Sequence, residues 1–269
     1  MLGKLLKYEF KAQGAMYLGI YLIALLFSVI EVASDKINQA LNGNPVFSVM
    51  RVLSLAAAVI ALIAIFIITV VMCIIRYRNN LLKDEGYLMH TLPVSAASLH
   101  FSKLLAGIIW FIGDIAVLMI SVGILTEDFR FTWIKSFKVI LEQSGLKIDS
   151  GMAFVFVLYI VLSVISSLSM FYACLNLGSL SYSSKGIMAF VWYIILYMVG
   201  QIVSVIGLVI LCIVQYGSNF AVLFQTQTDT APTGFVMGTF VTSVIIAVIL
   251  TAAYNFASLY ILDKKLNLE

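Results

Sequence analysis

Residues 79–95 read NNLLKDEGYLMHTLPVS, and they stand between two apolar runs, Val52–Ile75 and Leu104–Leu125. A hydrocarbon core of about 30 Å needs roughly 20 apolar helical residues, so each run can span a bilayer. The polar stretch is then the connection between two spans, and Arg76 and Arg78 just ahead of it mark a cytoplasmic end. It holds more than a turn needs. Leu81, Leu82, Tyr87, Leu88, Met89 and Leu92 give it an apolar side, and Lys83, Asp84 and Glu85 a charged one. Gly86 permits a bend, Pro93 ends any helix at or before Leu92, and Ser95 can cap the helix that re-enters the membrane. Such a half-apolar helix either docks on something outside the bilayer or lies in the interface with no partner.

Composition agrees with a membrane setting. The chain has 269 residues, 62% hydrophobic and 11% charged, with a net charge of +3. A soluble domain carries about 45–50% apolar and about 25% charged residues. The small net charge gives no reason to expect nucleic acid. Cys73, Cys174 and Cys212 stand singly in or near apolar runs, without metal spacing, and read as small buried residues.

Six spans are expected near Ala15–Ala33, Val52–Ile75, Leu104–Leu125, Met152–Cys174, Ile187–Ile213 and Gly234–Leu262. Residues 1–13 precede the first as an amphipathic stretch, with Leu2, Leu5, Leu6 and Phe10 opposite Lys4, Lys7 and Lys11. They suit an interfacial helix or a plain basic flank. The start also suits a signal peptide, but the apolar run continues to Ala33, long enough to span. With the N-terminus inside, the inner segments hold ten basic residues (Lys4, Lys7, Lys11, Arg76, Arg78, Lys83, Lys103, Lys185, Lys264, Lys265) and the outer ones six (Lys36, Arg51, Arg130, Lys135, Lys138, Lys147), which favours both termini in the cytoplasm. Residues 126–151 carry Trp133, Phe137, Ile140 and Leu141 at helical spacing and read as an outer interfacial helix or a solvated loop. Asn176–Gly186 reads as a short cytoplasmic loop, and Val214–Thr233, without lysine or arginine, as an outer one.

Asp114 is the acid deep inside a span. A charge there costs at least about 2.5–3.5 kcal/mol, so it is protonated or faces a polar cavity. It either contacts substrate or protons in a pathway, or bonds across helices to Gln201, a serine or a tyrosine. Gln201 is the other mid-span polar group, and Gly234 and Gly238 form a G-x-x-x-G that can mark a crossing or a dimer seam. There is no phosphate-binding loop and no H-E-x-x-H. The only histidines, His90 and His100, are both placed in the cytoplasmic connection. Nothing here suggests a catalytic centre or a metal site.

The string KDEGYLMHTLPVS, followed by SKLL, resembles the loop between the second and third spans of type-2 ABC exporter permeases of the small group found in Gram-positive bacteria. Glu85, Gly86, Tyr87, Leu88, Leu92, Pro93 and Ser95 carry the match, and His90 departs from it. Elsewhere the likeness is one of span number and loop length. The resemblance implies an all-α membrane protein: six transmembrane helices, an N-terminal elbow helix at 1–13 and a cytoplasmic coupling helix within 79–95, in one permease domain over 1–269. It implies that Leu82, Lys83, Asp84, Glu85, Gly86, Tyr87, Leu88 and Met89 meet a separate ABC ATP-binding subunit, which would hold ATP and Mg, this chain having no cofactor and not being an enzyme. It further implies a second copy or a related permease as partner, a bacterial cytoplasmic membrane location, a partly re-entrant element in Val214–Thr233, and export of amphipathic peptides (antimicrobial peptides among them), toxins or drugs along a pathway for which Asp114 and Gln201 are candidates. Two other readings stay open: a transporter or channel driven by an ion gradient through Asp114, and a non-transporting scaffold or immunity protein.

Overall fold

The computed structural model describes residues 2–41, 44–83, 86, 94–127, 139, 149–181, 184–217 and 233–264. All regular structure among them is helical: α1 (Leu2–Ala40), α2 (Pro45–Leu82), α3 (Ala96–Leu125), α4 (Ser150–Ser179), α5 (Lys185–Tyr216) and α6 (Thr233–Lys264). All six are long and apolar enough to cross a membrane, which supports a multi-pass membrane protein. In α5 no residue of the most apolar 18-residue window is buried within the chain. Ile202 and Val205 there are 56% and 60% exposed, a surface that only lipid or another apolar partner can cover.

The helices overrun the expected spans because their ends are polar yet paired. Residues 2–13 are the first turns of α1, which runs on through Gly14 with no proline to break it. α2 continues through Asn79 and Asn80 to Leu82. His100 belongs to α3, fully buried and edge-on to Phe101, so its placement in the connection is corrected. Asn176, expected in a loop, is a buried residue of α4. Asp149 caps α4, its Oδ1 accepting from the Met152 amide at 2.7 Å, which satisfies one of the open amides at a helix start.

The chain divides into two compact units, one of residues 1–76 and 98–134, the other of 77–97 and 135–269. In the first, Ala24, Leu62, Ile65 and Val117 bring α1, α2 and α3 together around a small apolar core. The Arg51–Asp35 pair (2.6 Å) and the exposed Lys36–Glu127 pair (2.8 Å) lie at one end. At the other end Glu9 of α1 pairs with Lys103 of α3 and, at 3.5 Å, with Arg76 of α2, and accepts from Gln13 at 3.2 Å. These pairs fix an up-down-up order for the three helices. The residues flanking 77–97 therefore sit at the same end of this unit as the N-terminus.

In the second unit α4 packs most extensively on α6 and then on α5. Asn255 donates to Ser169 at 3.1 Å between α6 and α4. The last turns of α2 belong here as well. Tyr77 stacks on Tyr172 at 4.0 Å, and Asn176 donates to the Tyr77 hydroxyl at 2.8 Å, all three side chains being buried. Tyr77→Phe leaves the Asn176 amide without that acceptor in an apolar surrounding. A loss of about 1–3 kcal/mol is expected, readable by thermal unfolding in detergent. Asn176→Leu, which removes the buried amide, is expected to lose less than Asn176→Asp.

Candidate functional site

Three places could do work: the connection after α2, the polar centre of the first unit, and a cleft in the second.

At the start of the connection, Leu82 is the last residue of α2 and Lys83 follows it directly. Leu81 and Leu82 are buried, at 0% and 5% exposure. Gly86 is buried too and helical, its amide donating to the Lys83 carbonyl at 2.7 Å. Asp84, Glu85, Tyr87, Leu88, Met89 and the rest of 87–93 lie outside the described residues, as do most of the outer segment 126–151 and residues 218–232. Ser95 stands immediately before α3, as a cap would.

Asp114 lies at the centre of the first unit with no exposed surface. The Tyr21 hydroxyl, from α1, reaches Asp114 Oδ1 at 2.7 Å and the Trp110 carbonyl at 3.1 Å. Of the alternatives open for Asp114, the interhelical bond to a tyrosine is present. Gly113 leaves room for this ring: a Cβ there would lie 2.8 Å from the Tyr21 hydroxyl oxygen. Trp110 stacks on Tyr17 at 4.0 Å, beside Phe10 and Tyr21, so aromatic rings from two helices enclose the acid.

Gln201 is exposed and belongs to the second unit, where it lines a cleft of about 380 Å³ between α4, α5 and α6. Asp114 lies in the first unit and is not a lining residue. Among the described residues no charged side chain lines the cleft. Six of its hydroxyl groups (Ser163, Ser167, Ser204, Thr239, Thr242 and Ser243) donate back to carbonyls of their own helices at 2.7–2.9 Å. This is what hydroxyls do in an apolar helix without another acceptor. It leaves their oxygen lone pairs as the polar surface of the cleft. The size is that of a small-ligand pocket; it holds a side chain or two, or a piece of an acyl chain, and not a folded peptide. Gly238 makes the α5–α6 crossing close here, a Cβ at that position falling 2.6 Å from Gln215 Nε2 and 2.9 Å from Leu211 Cδ1. Both glycines of the G-x-x-x-G pair meet Gln215 of α5: Gly238 by this close approach, and Gly234 through its carbonyl, which accepts from Gln215 Nε2 at 3.2 Å, with open space where a Cβ would stand.

Cys73, Cys174 and Cys212 are buried and form no disulfide, as their isolated positions suggest. Among the described residues no cluster of histidine, cysteine and carboxylate side chains could hold a metal ion. Sequence reasoning missed Glu9: it stood among lysines in a stretch read as amphipathic, and its partners lie far along the chain. No family model matches the chain, and neither a curated protein nor a solved structure is significantly similar to it.

Proposed function

We propose that the chain is the membrane-spanning permease subunit of an ATP-driven exporter, powered by a separate ATP-binding subunit that docks on residues 79–95. The reading rests on one observation above all, the run KDEGYLMHTLPVS in the connection between α2 and α3, with its resemblance to a coupling helix. The six apolar helices are compatible with it. So is the ion cluster that ties the flanks of the connection to α1: Arg76 stands seven residues ahead of Lys83 and Lys103 eight residues after Ser95, and both pair with Glu9. A push on the connection would reach three helices at once. Lys83, Asp84 and Glu85 supply the charged contacts in this proposal, Tyr87, Leu88 and Met89 the apolar anchors, and Leu82 and Gly86 the joint. Nucleotide binding and hydrolysis bias the helices between two arrangements. The cargo is an amphipathic peptide, toxin or drug, the membrane a bacterial cytoplasmic membrane with both termini inside, and a second copy or a related permease completes the pathway.

A photo-crosslinking residue at position 87, introduced into the protein in its native membrane, tests this. The expected product is an adduct with a chain that carries a phosphate-binding loop. Labelling of the same position by an impermeant reagent from outside the cell would end the proposal. A second reading, transport driven by an ion gradient through Asp114, is favoured by the uncompensated burial of that acid. Transport that follows sodium or proton gradients and ignores ATP would select it.

A further inference from the structure

The polar centre of the first unit has more hydrogen-bonding groups than bonds. Asp114 Oδ2, Thr69 Oγ1 and the Tyr17 hydroxyl are all buried without a well-formed hydrogen bond, and Trp110 Nε1 beside them has none either. Their residues are at most 1% exposed, Trp110 excepted. Thr69 of α2 comes within weak hydrogen-bonding reach of both Asp114 and Tyr17, and Cys73, one turn further along α2, within such reach of Tyr17. Three helices thus each bring an oxygen to one place, and one of these oxygens belongs to a carboxyl group.

Charge makes the burial of Asp114 expensive. No basic side chain among the described residues forms an ion pair with Asp114. Lys103 is eleven positions earlier on α3, about 16 Å at 1.5 Å per residue. The groups facing Asp114 are Tyr21 and Tyr17 from α1 and Thr69 from α2, with Cys73 behind Tyr17. None of them is cationic. An ionised carboxylate buried without a counter-charge costs several kcal/mol. One unit of positive charge at the acid removes this cost. Carboxylate and hydroxyl oxygens, without nitrogen or sulfur donors, suit a hard cation.

We propose that Asp114, Thr69 and Tyr17 form a binding site for a single monovalent cation, a sodium ion or a proton, seated at the free oxygen of Asp114. The site is built within one unit and does not depend on how the protein is powered. With sodium, Asp114 Oδ2, Thr69 Oγ1 and the Tyr17 hydroxyl oxygen are ligands, water completes the shell, and Trp110 Nε1 donates to that water. With a proton, Oδ2 carries it and Thr69 Oγ1 accepts.

The test uses the full-length protein purified in detergent, with melting temperature recorded against sodium chloride, choline chloride holding the ionic strength, at pH 5, 7 and 9. A sodium site raises the melting temperature with sodium at fixed pH. A proton site raises it on acidification without sodium. Either response is expected to vanish in Asp114→Asn, while responses from other titrating groups persist in that variant and are subtracted. Thr69→Val keeps the shape and removes one oxygen; it is expected to weaken the half-effective concentration of the cation about tenfold, the equivalent of one lost polar contact. Trp110 emission in the wild-type chain, against Trp110→Phe, reports occupancy even where Asp114→Asn does not fold. Wild-type protein indifferent to both sodium and pH overturns the proposal, as does a response of unchanged size in Asp114→Asn.

Discussion

Replacing Glu9 by glutamine is expected to destabilise the protein by about 3–5 kcal/mol, the usual cost of removing one partner from a buried ion pair. Glutamine has the shape of glutamate, so the loss reports charge and not packing. Lys103, whose side chain is 5% exposed, would lose the carboxylate that faces it, while Arg76, at 22%, keeps more access to water. Lys103 should therefore dominate the penalty. Lys103→Met alone leaves Glu9 with Arg76 and Gln13 and is expected to cost less, about 1–3 kcal/mol. The double variant Glu9→Gln, Lys103→Met removes both charges and should recover much of the single loss, giving a coupling energy well above that of an exposed pair. Denaturant unfolding in detergent micelles measures all three. Equal melting of Glu9→Gln and wild type would show that the cluster holds nothing together. The exposed Lys36–Glu127 pair at the far end supplies the contrast, since breaking it should change stability by less than about 1 kcal/mol.

Such pairs explain what could and could not be read from the chain alone. Apolar length announces a span, and all six runs are helices. The ends were hidden because a helix end looks polar whether it meets water or a partner. His100, Lys103 and Asn176 resembled loop residues, yet the first is buried in α3, the second paired with Glu9 and the third bonded to Tyr77. Glu9 and Lys103 lie 94 residues apart, and no local period connects them. Asp114 was conspicuous by depth, and a tyrosine was among the partners its burial demanded. That the tyrosine is Tyr21, and that Thr69 and Tyr17 leave an oxygen cluster beside it, required the packing of three helices. Gln201 was conspicuous for the same reason as Asp114, but the two prove to be unlike: Asp114 is enclosed with a carboxyl oxygen that lacks a hydrogen bond, whereas Gln201 opens onto a cleft without a charged side chain among the described residues.

Adding a single methyl group at Gly178 is expected to disturb the packing of α4 on α5. Alanine is the better helix former by about 1 kcal/mol, so in an open helix the change would stabilise. Here the new Cβ would fall 2.6 Å from the Ala189 nitrogen and 2.7 Å from its Cα and Cβ. These are mainly backbone atoms of α5, which cannot rotate away, and the two helices are joined by only a few residues, 180–184. The helices must separate, and overpacking of this kind costs about 1–3 kcal/mol or more, outweighing the propensity gain. Gly207 faces a comparable distance, 2.5 Å to Ile246 Cδ1, but that atom ends a flexible side chain and can yield. Gly186→Ala, with nothing within 4 Å, is the internal control and should be neutral or slightly stabilising. Separation at Gly178 also moves Asn176, two residues earlier, away from Tyr77, and widens the cleft that α4 and α5 share with α6. Gly178→Ala is therefore expected to lower the melting temperature and to speed thiol labelling of Cys174, one turn away and 3% exposed, measured with Cys73 and Cys212 replaced by serine. Melting and labelling that both match the parent would mean that α4 and α5 do not meet at Gly178 as closely as Ala189 requires.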